Sequence, residues 1–499
     1  MSTIDQDRAK YLRTRRSFLT DFGKAAVALG VTSTLRDFRL VNAALAQGNG
    51  PFAFPDYKAL ICVFLSGGND SNNLIVPRNP EAHASYASIR QNLTLPLGSL
   101  LPISPINNDG NEYGFHPSCT GLANMFNTGK AAVMFNVGPL LFPTTRIQYQ
   151  KKTIALPPQL FSHSDQVTHW QTSLPDQPPR NGWGGRVADY LHPLQDQLLN
   201  DPAERAKIAL CTSIAGANTF EVGATIQQYH VSTSGAVTMA GTGGNAGSST
   251  KNRENTIRAI AQNPQHNLQA GAYGSIIDDA MATGALLNTA IAPTAAANYF
   301  TTAFPGGSFG DQMKMVARII AARDTLKIKR QIFFVTFGSY DTHTAQFGAN
   351  DTDPLTGTHA NLLGQLSSGI NALSAAMNQL GGPALQNSVV GFTASDFGRT
   401  FPTNGQGSDH GWGSHHILFG GNGDPTTGAL RGKRTYGTFP VLQVNGPDDT
   451  STGRWIPTTS VDEYSATLAK WLGVDAAHMP VVFPNLGRFA NPDLGFMNT

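Results

Sequence analysis

Residues 388–421 read SVVGFTASDFGRTFPTNGQGSDHGWGSHHILFGG. The run Ser388 to Ala394 is short and almost wholly apolar, as in a strand buried on both faces. It breaks off at Ser395-Asp396-Phe397-Gly398-Arg399, and after a Gly-rich loop come Asp409-His410-Gly411 and then His415-His416. Two carboxylates, three imidazoles and one guanidinium thus follow one strand end. Ligands of open α/β sheets bind outside the carboxyl ends of the strands. The stretch therefore predicts both the fold class and the place of chemistry.

Other runs repeat the pattern. Ala59 to Leu65 reads as a buried strand that stops at Ser66-Gly67-Gly68-Asn69-Asp70, and Ala131 to Val137 reads as a second. Gln331 to Phe337 is a third, ending in Gly338-Ser339-Tyr340-Asp341-Thr342-His343. Phe439 to Val444 is a further strand candidate. Between the strands, short helices are expected at Leu122 to Gly129 and Val187 to Leu191, and a helix near Ile276 to Ala290. Met313, Val316, Ala317 and Ile320 share one helix face, as do Leu363, Leu366, Ile370, Leu373, Met377 and Leu380 up to the stop at Gly381-Gly382. Ser460-Val461-Asp462-Glu463 is a capping box opening the last helix. Strands alternating with helices predict an α/β fold, a doubly wound, mostly parallel sheet flanked by helices. Residues 197–310 are rich in Ala, Gly, Ser and Thr and read as an insertion or cap.

Composition excludes several classes. Hydrophobic residues make up 40% and charged residues 14% of the 499, which is not a disordered composition. A formal net charge of +2 gives no nucleic-acid footprint. Cys62, Cys119 and Cys211 have neither a disulfide framework nor zinc spacing, although one disulfide is allowed. Cys62 reads as a small buried hydrophobe. At the N-terminus, Arg15-Arg16-Ser17-Phe18-Leu19, the apolar run Ala25 to Val31 and Ala44-Leu45-Ala46 read as a twin-arginine export signal cut after Ala46. The competing reading is a basic amphipathic helix. Export by the twin-arginine translocase predicts a folded periplasmic or secreted protein. With no run of about 18 apolar residues, no permanent membrane span is expected.

Asp70, Asp341 with His343, and Asp396 come from three strand ends, and Asp409-His410 and His415 or His416 from a loop. Carboxylate with imidazole suits zinc or manganese, and all-oxygen sites suit magnesium. A pair of ions about 4 Å apart could clamp both oxygens of a displacement at phosphorus or sulfur. Arg399 suits bidentate contact with such an anion, or else a salt bridge that holds the loop. Phe161-Ser162-His163-Ser164-Asp165 opens a segment dense in nucleophiles and ligands, although a lone His there is more often structural. A rival motif, Gly306-Gly307-Ser308-Phe309-Gly310, matches a nucleophile elbow but follows a poor strand.

These pieces together resemble a family of twin-arginine-exported bacterial proteins of unknown function, grouped with the alkaline phosphatase and sulfatase superfamily. The resemblance rests on Phe64 to Asp70, Phe161-Ser162-His163, Gly182 to Arg186, Asp341-Thr342-His343 with Gln346, Ser395 to Thr400, Asp409-His410-Gly411 and Phe483 to Leu486. It runs from 57 to 488 and is weakest over 197–310. It implies an alkaline-phosphatase-like fold and a metal site of one or two ions held by Asp70, Asp341, His343, Asp396, Asp409 and His410. It also implies a nucleophile at Ser162, with Ser164 second. This chain departs from the superfamily pattern at Phe397, where a histidine is expected, and in the close spacing of Asp341 and His343. Most of the family has Glu in place of Asp396. Either Asp396 or Asp409 could then pair with His410. The implied activity is a metal-dependent hydrolysis of phosphate or sulfate esters, hence a small anionic ester substrate. The alternatives are a non-catalytic exported binding protein and a serine esterase using Ser308.

Overall fold

The central strand β1 (Lys58–Leu65) is buried along nearly its whole length, and everything that bears on the site is built outward from it. The computed structural model describes residues 54–196, 205–263, 268–292, 300–344, 346–347 and 353–498. The twin-arginine stretch, including Arg15-Arg16 and Ala44 to Ala46, lies outside them. The other strands are β2 (Ile75–Pro77), β3 (Leu101–Ile103), β4 (Tyr113–Phe115), β5 (Ala131–Gly138), β6 (Cys211–Ser213), β7 (Tyr229–Ser232), β8 (Gly235–Ala236), β9 (Arg330–Phe337), β10 (Val389–Ser395), β11 (Ser414–Gly420), β12 (Thr435–Tyr436) and β13 (Thr459–Ser460). The helices are α1 (Pro80–Arg90), α2 (Thr120–Asn127), α3 (Arg146–Lys151), α4 (His163–Thr172), α5 (Trp183–Asp196), α6 (Ser249–Gln262), α7 (Leu268–Ala290), α8 (Ser308–Ala321), α9 (Gly357–Asn387), α10 (Val461–Leu472) and α11 (Met479–Val482).

The main sheet runs β12-β5-β11-β10-β1-β9-β6-β7-β8, with β13 also against β5. It is a mixed sheet, mostly parallel: β11 runs against both β10 and β5, and β8 against β7. Alternate residues of a strand face opposite sides of the sheet. Ala59, Ile61, Val63 and Leu65 join the core beneath α2, α8 and α9. On the other face Phe392 meets Trp183 of α5 and Tyr464 of α10, with ring centroids 5.6 and 5.8 Å apart. Cover on both faces is why these strands read as unbroken apolar runs.

Register then decides where the strands end. Leu65 lies opposite Phe337 of β9 and Ser395 of β10. The three parallel strands therefore stop level, and the chain leaves each at the same edge. Gly382 at the expected helix stop is left-handed (φ 61°), so α9 is broken there before one last turn. Ser460 and Glu463 form the full capping box of α10. Of the 197–310 stretch, β6 and β7 extend the main sheet beside β9, while α6 and α7 pack on each other.

Two readings are corrected. Phe439 to Val444 is not a strand. Pro440 lacks the N–H a ladder needs, and β12 pairs with β5 just upstream instead. His415 and His416 do not sit in a ligand loop but in β11, fully buried. His415 stacks on Phe439 and His416 on Tyr464, so both rings serve the core. The three cysteines are free and buried. Among the described residues no helix is long and apolar enough to cross a membrane.

The loop after β1 is fastened by a buried ion pair. Arg90 at the end of α1 binds Asp70 Oδ2, and neither side chain is exposed. Arg90 Nη1 also donates to Phe401 O at 3.0 Å. Burial alone would raise the Asp70 carboxyl, but Arg90, with His359 and Gln346, draws it below its usual value. Removing one partner of such a pair leaves an uncompensated charge. Arg90→Met is thus expected to cost about 3–5 kcal/mol in denaturant unfolding, and the double variant with Asp70→Asn to recover part of it. Glu221, fully buried near Cys62 and Cys211, has its carboxyl pushed up to about 8 by desolvation. Between the unfolded value near 4.5 and this one, unfolding releases a proton, so stability falls as pH rises. Glu221→Gln should therefore melt higher than the wild type at pH 8 by at least ~2 °C, with a smaller difference at pH 5.

Candidate functional site

The three level strand ends bring their loops to one spot. Gly67 and Gly68, after β1, adopt φ of 112° and 83°. A Cβ on Gly67 would lie 2.4 Å from the Asp341 amide, and one on Gly68 2.5 Å from the Phe397 ring. Only glycine permits that closeness and that backbone. Gly67 N–H in turn donates to Asp396 Oδ1 at 3.0 Å. Arg399 fills the space beneath. Its guanidinium donates to Gly68 O, Ser408 O, Gly67 O, Tyr340 O and Asp341 Oδ1.

Above this base three imidazoles surround Asp341. His163 Nδ1 binds Asp396 Oδ2 at 2.7 Å. His343 Nδ1 binds Asp409 Oδ1 at 3.1 Å, and His410 Nδ1 binds Phe161 O at 2.7 Å. Carboxylates and carbonyls only accept, so in each ring Nδ1 carries the proton and Nε2, in the neutral form, carries a lone pair. The three Nε2 atoms converge on Asp341, at 3.5 Å from Oδ2 for His163 and 3.1 and 3.6 Å from Oδ1 for His343 and His410. His343 Nε2 and His410 Nε2 are 2.8 Å apart. His163 Nε2 is buried and makes no hydrogen bond among the described residues. One ligand atom each from His163, Asp341 and His410 lies within 4.8 Å of the others. Two lone pairs this close repel unless a cation or a proton lies between them, so the arrangement can hold a metal ion.

The charges agree with the geometry. The hydrogen bond to Asp396 raises the His163 imidazole. Burial lifts the Asp341 carboxyl, but Arg399 outweighs it and brings the group below its usual value. Asp341 remains 48% exposed, so the cluster opens to solvent on one side.

The sequence-expected residues divide. Asp341, His343, Asp396, Asp409 and His410 come together, with Asp341 central and the carboxylates of Asp396 and Asp409 behind His163 and His343. Asp70 is committed to Arg90 and Gln346 and so braces the loop. Arg399 gives its donors to protein oxygens with no side-chain exposure, which makes it a brace and not an open anion contact. Phe397, in the place expected for a histidine, packs against both His163 and His410 at centroid distances of 4.7 and 4.5 Å, and those two rings meet each other at 4.3 Å. Ser162 precedes α4, and its hydroxyl donates to Asp165 Oδ2 at 2.5 Å and lies 3.3 Å from Ser164 Oγ. Ser308 opens α8 without a strand directly before it and accepts from Gln312 at 3.1 Å. His163 is the site residue that periodicity and spacing pass over. Its signals are its place in the dense Ser/His/Asp segment after β5 and in the Phe161-Ser162-His163 motif of the resemblance.

A family described as "Protein of unknown function (DUF1501)" matches residues 57–488. A search of curated proteins found no match. The matched span includes every strand and helix that frames the Asp341 cluster. The chain belongs to this family of unknown function, DUF1501.

Proposed function

We propose that the protein is an exported metal-dependent hydrolase of phosphate or sulfate esters, carried by the twin-arginine translocase and built on an alkaline-phosphatase-like variant of the α/β sheet. The observation that carries the reading is the pair of Nδ1-protonated imidazoles, His343 and His410, whose Nε2 atoms face each other at 2.8 Å beside Asp341. The unbonded His163 Nε2 adds a third nitrogen. Three imidazoles and one carboxylate fit one zinc or manganese ion better than magnesium, which prefers oxygen ligands. Bound there, the ion would supply Lewis-acid polarisation of an ester oxygen.

The remaining steps belong to the chain. Asp396, Asp409 and Phe161 O hold the tautomers of the three rings. Asp165 is placed to take the proton of Ser162 across 2.5 Å. The Ser162 oxygen bonds to phosphorus or sulfur, the bond to the alcohol oxygen breaks, and that oxygen receives the proton. Water then adds at the same atom, the bond to Ser162 breaks, and a proton of the water returns to the Ser162 oxygen as the acid leaves. The positive end of α4, which starts at His163, favours the anionic group beside Ser162.

Purified mature protein is expected to contain about one equivalent of zinc or manganese by elemental analysis. Asp341→Ala and His410→Ala should each lower its affinity at least ~10-fold. Background metal in the wild type would overturn the proposal. Ser162→Ala should keep its metal and lose about 10³-fold or more in turnover of 4-nitrophenyl phosphate or sulfate. Unchanged turnover would remove Ser162 from the mechanism.

A further inference from the structure

A cleft of about 350 Å³ lies beside α4, bordered by Asp165, Thr168 and His169 and by Pro175, Asp176 and Pro178 after the helix. It begins at the residue that receives the Ser162 hydrogen bond. His169 is only 6% exposed, and Gln166 Nε2 donates to its Nδ1 at 3.1 Å. The ring proton therefore sits on Nε2, which has no protein partner among the described residues. Burial keeps this imidazole neutral by drawing it down to about 4. That N–H opens into the cleft without a protein partner among the described residues, so it is free to donate to a guest there. Asp165 Oδ1 is likewise uncommitted, and Thr168 Oγ1, which donates to Ser164 O, keeps its lone pairs. Asp176 is tied up by Arg488 and Asn485.

The cleft thus offers a fixed donor, fixed acceptors and the rigid C–H faces of proline rings. Its free carboxylate repels an anion. A purely apolar guest would leave the His169 N–H and Asp165 desolvated without partners. Among the described residues no Phe, Tyr or Trp ring lines it to hold a quaternary ammonium. A ring bearing several hydroxyls satisfies both the polar groups and the proline faces. Resting on the proposed ester hydrolysis, we infer that the cleft beside α4 binds the neutral polyol portion of the ester, a sugar or cyclitol ring.

The cleft can be tested without turnover. Saturation-transfer NMR on the mature protein would use methyl glucoside and inositol as probes, with butanol and tetramethylammonium as comparators. Binding of either polyol is expected in the wild type and in Asp341→Ala, and a loss of at least tenfold in affinity in Thr168→Trp, which fills the cleft. A His169→Gln variant that keeps the fold by circular dichroism should bind more weakly than the wild type. No polyol binding in the wild type, stronger binding of butanol or tetramethylammonium, or polyol binding unaltered by Thr168→Trp would each overturn the inference. If the metal reading fails while polyols still bind, the cleft stands as a binding site independent of hydrolysis. If hydrolysis is found, Thr168→Trp should raise KM for a sugar phosphate more than for methyl phosphate.

Discussion

A buried guanidinium needs acceptors on every side, and Arg399 finds them in the loops that leave three different strands. Gly67 and Gly68 follow β1, Tyr340 and Asp341 follow β9, and Ser408 lies in the loop beyond β10. Taking such a charge out of water is costly unless its hydrogen bonds are met. The loops are therefore held to the one arrangement that meets them. Asp341 is the single charged partner in the set. The same contact that neutralises Arg399 aims the carboxylate at the imidazoles. Asp70 and Arg90 form a second such pair, this one buried on both sides, whereas the Asp341 end of the Arg399 pair stays open to solvent with the cluster.

The three histidines show how a site is tuned from behind. No side chain of the cluster acts alone. Asp396, Asp409 and a backbone carbonyl each accept the Nδ1–H hydrogen bond of one ring and so turn its Nε2 toward Asp341. Such outer partners set tautomer, orientation and basicity. Phe397 contributes by packing, since its ring holds His163 and His410 in place from one side. Phe397 thus supports two imidazoles, and His163, arriving from α4, brings a nitrogen from another direction.

The α/β class, the strands β1, β5, β9 and β10, the glycine break in α9 and the capping box of α10 were legible because each rests on local periodicity or a short hydrogen-bonded motif. Acidic groups after β9 and β10 were legible too, since a strand end is a local event. His415 and His416 misled because a polar pair after a Gly-rich loop reads as ligand, whereas pairing with β5 and β10 turned that segment into a strand. Phe439 to Val444 misled in the opposite sense, since apolar content survived where Pro440 had removed a donor.

By itself the sequence determined which groups with ligand chemistry stand at which strand ends, because apolar runs and their breaks are properties of neighbouring residues. The tertiary structure alone decided which of them meet. Level register of β1, β9 and β10 sets the three loops at one edge. Burial of Asp70 with Arg90 takes one carboxylate away from the cluster, and α4 brings His163 into it. Those are contacts between residues far apart in the chain, and no local pattern encodes the distance between them.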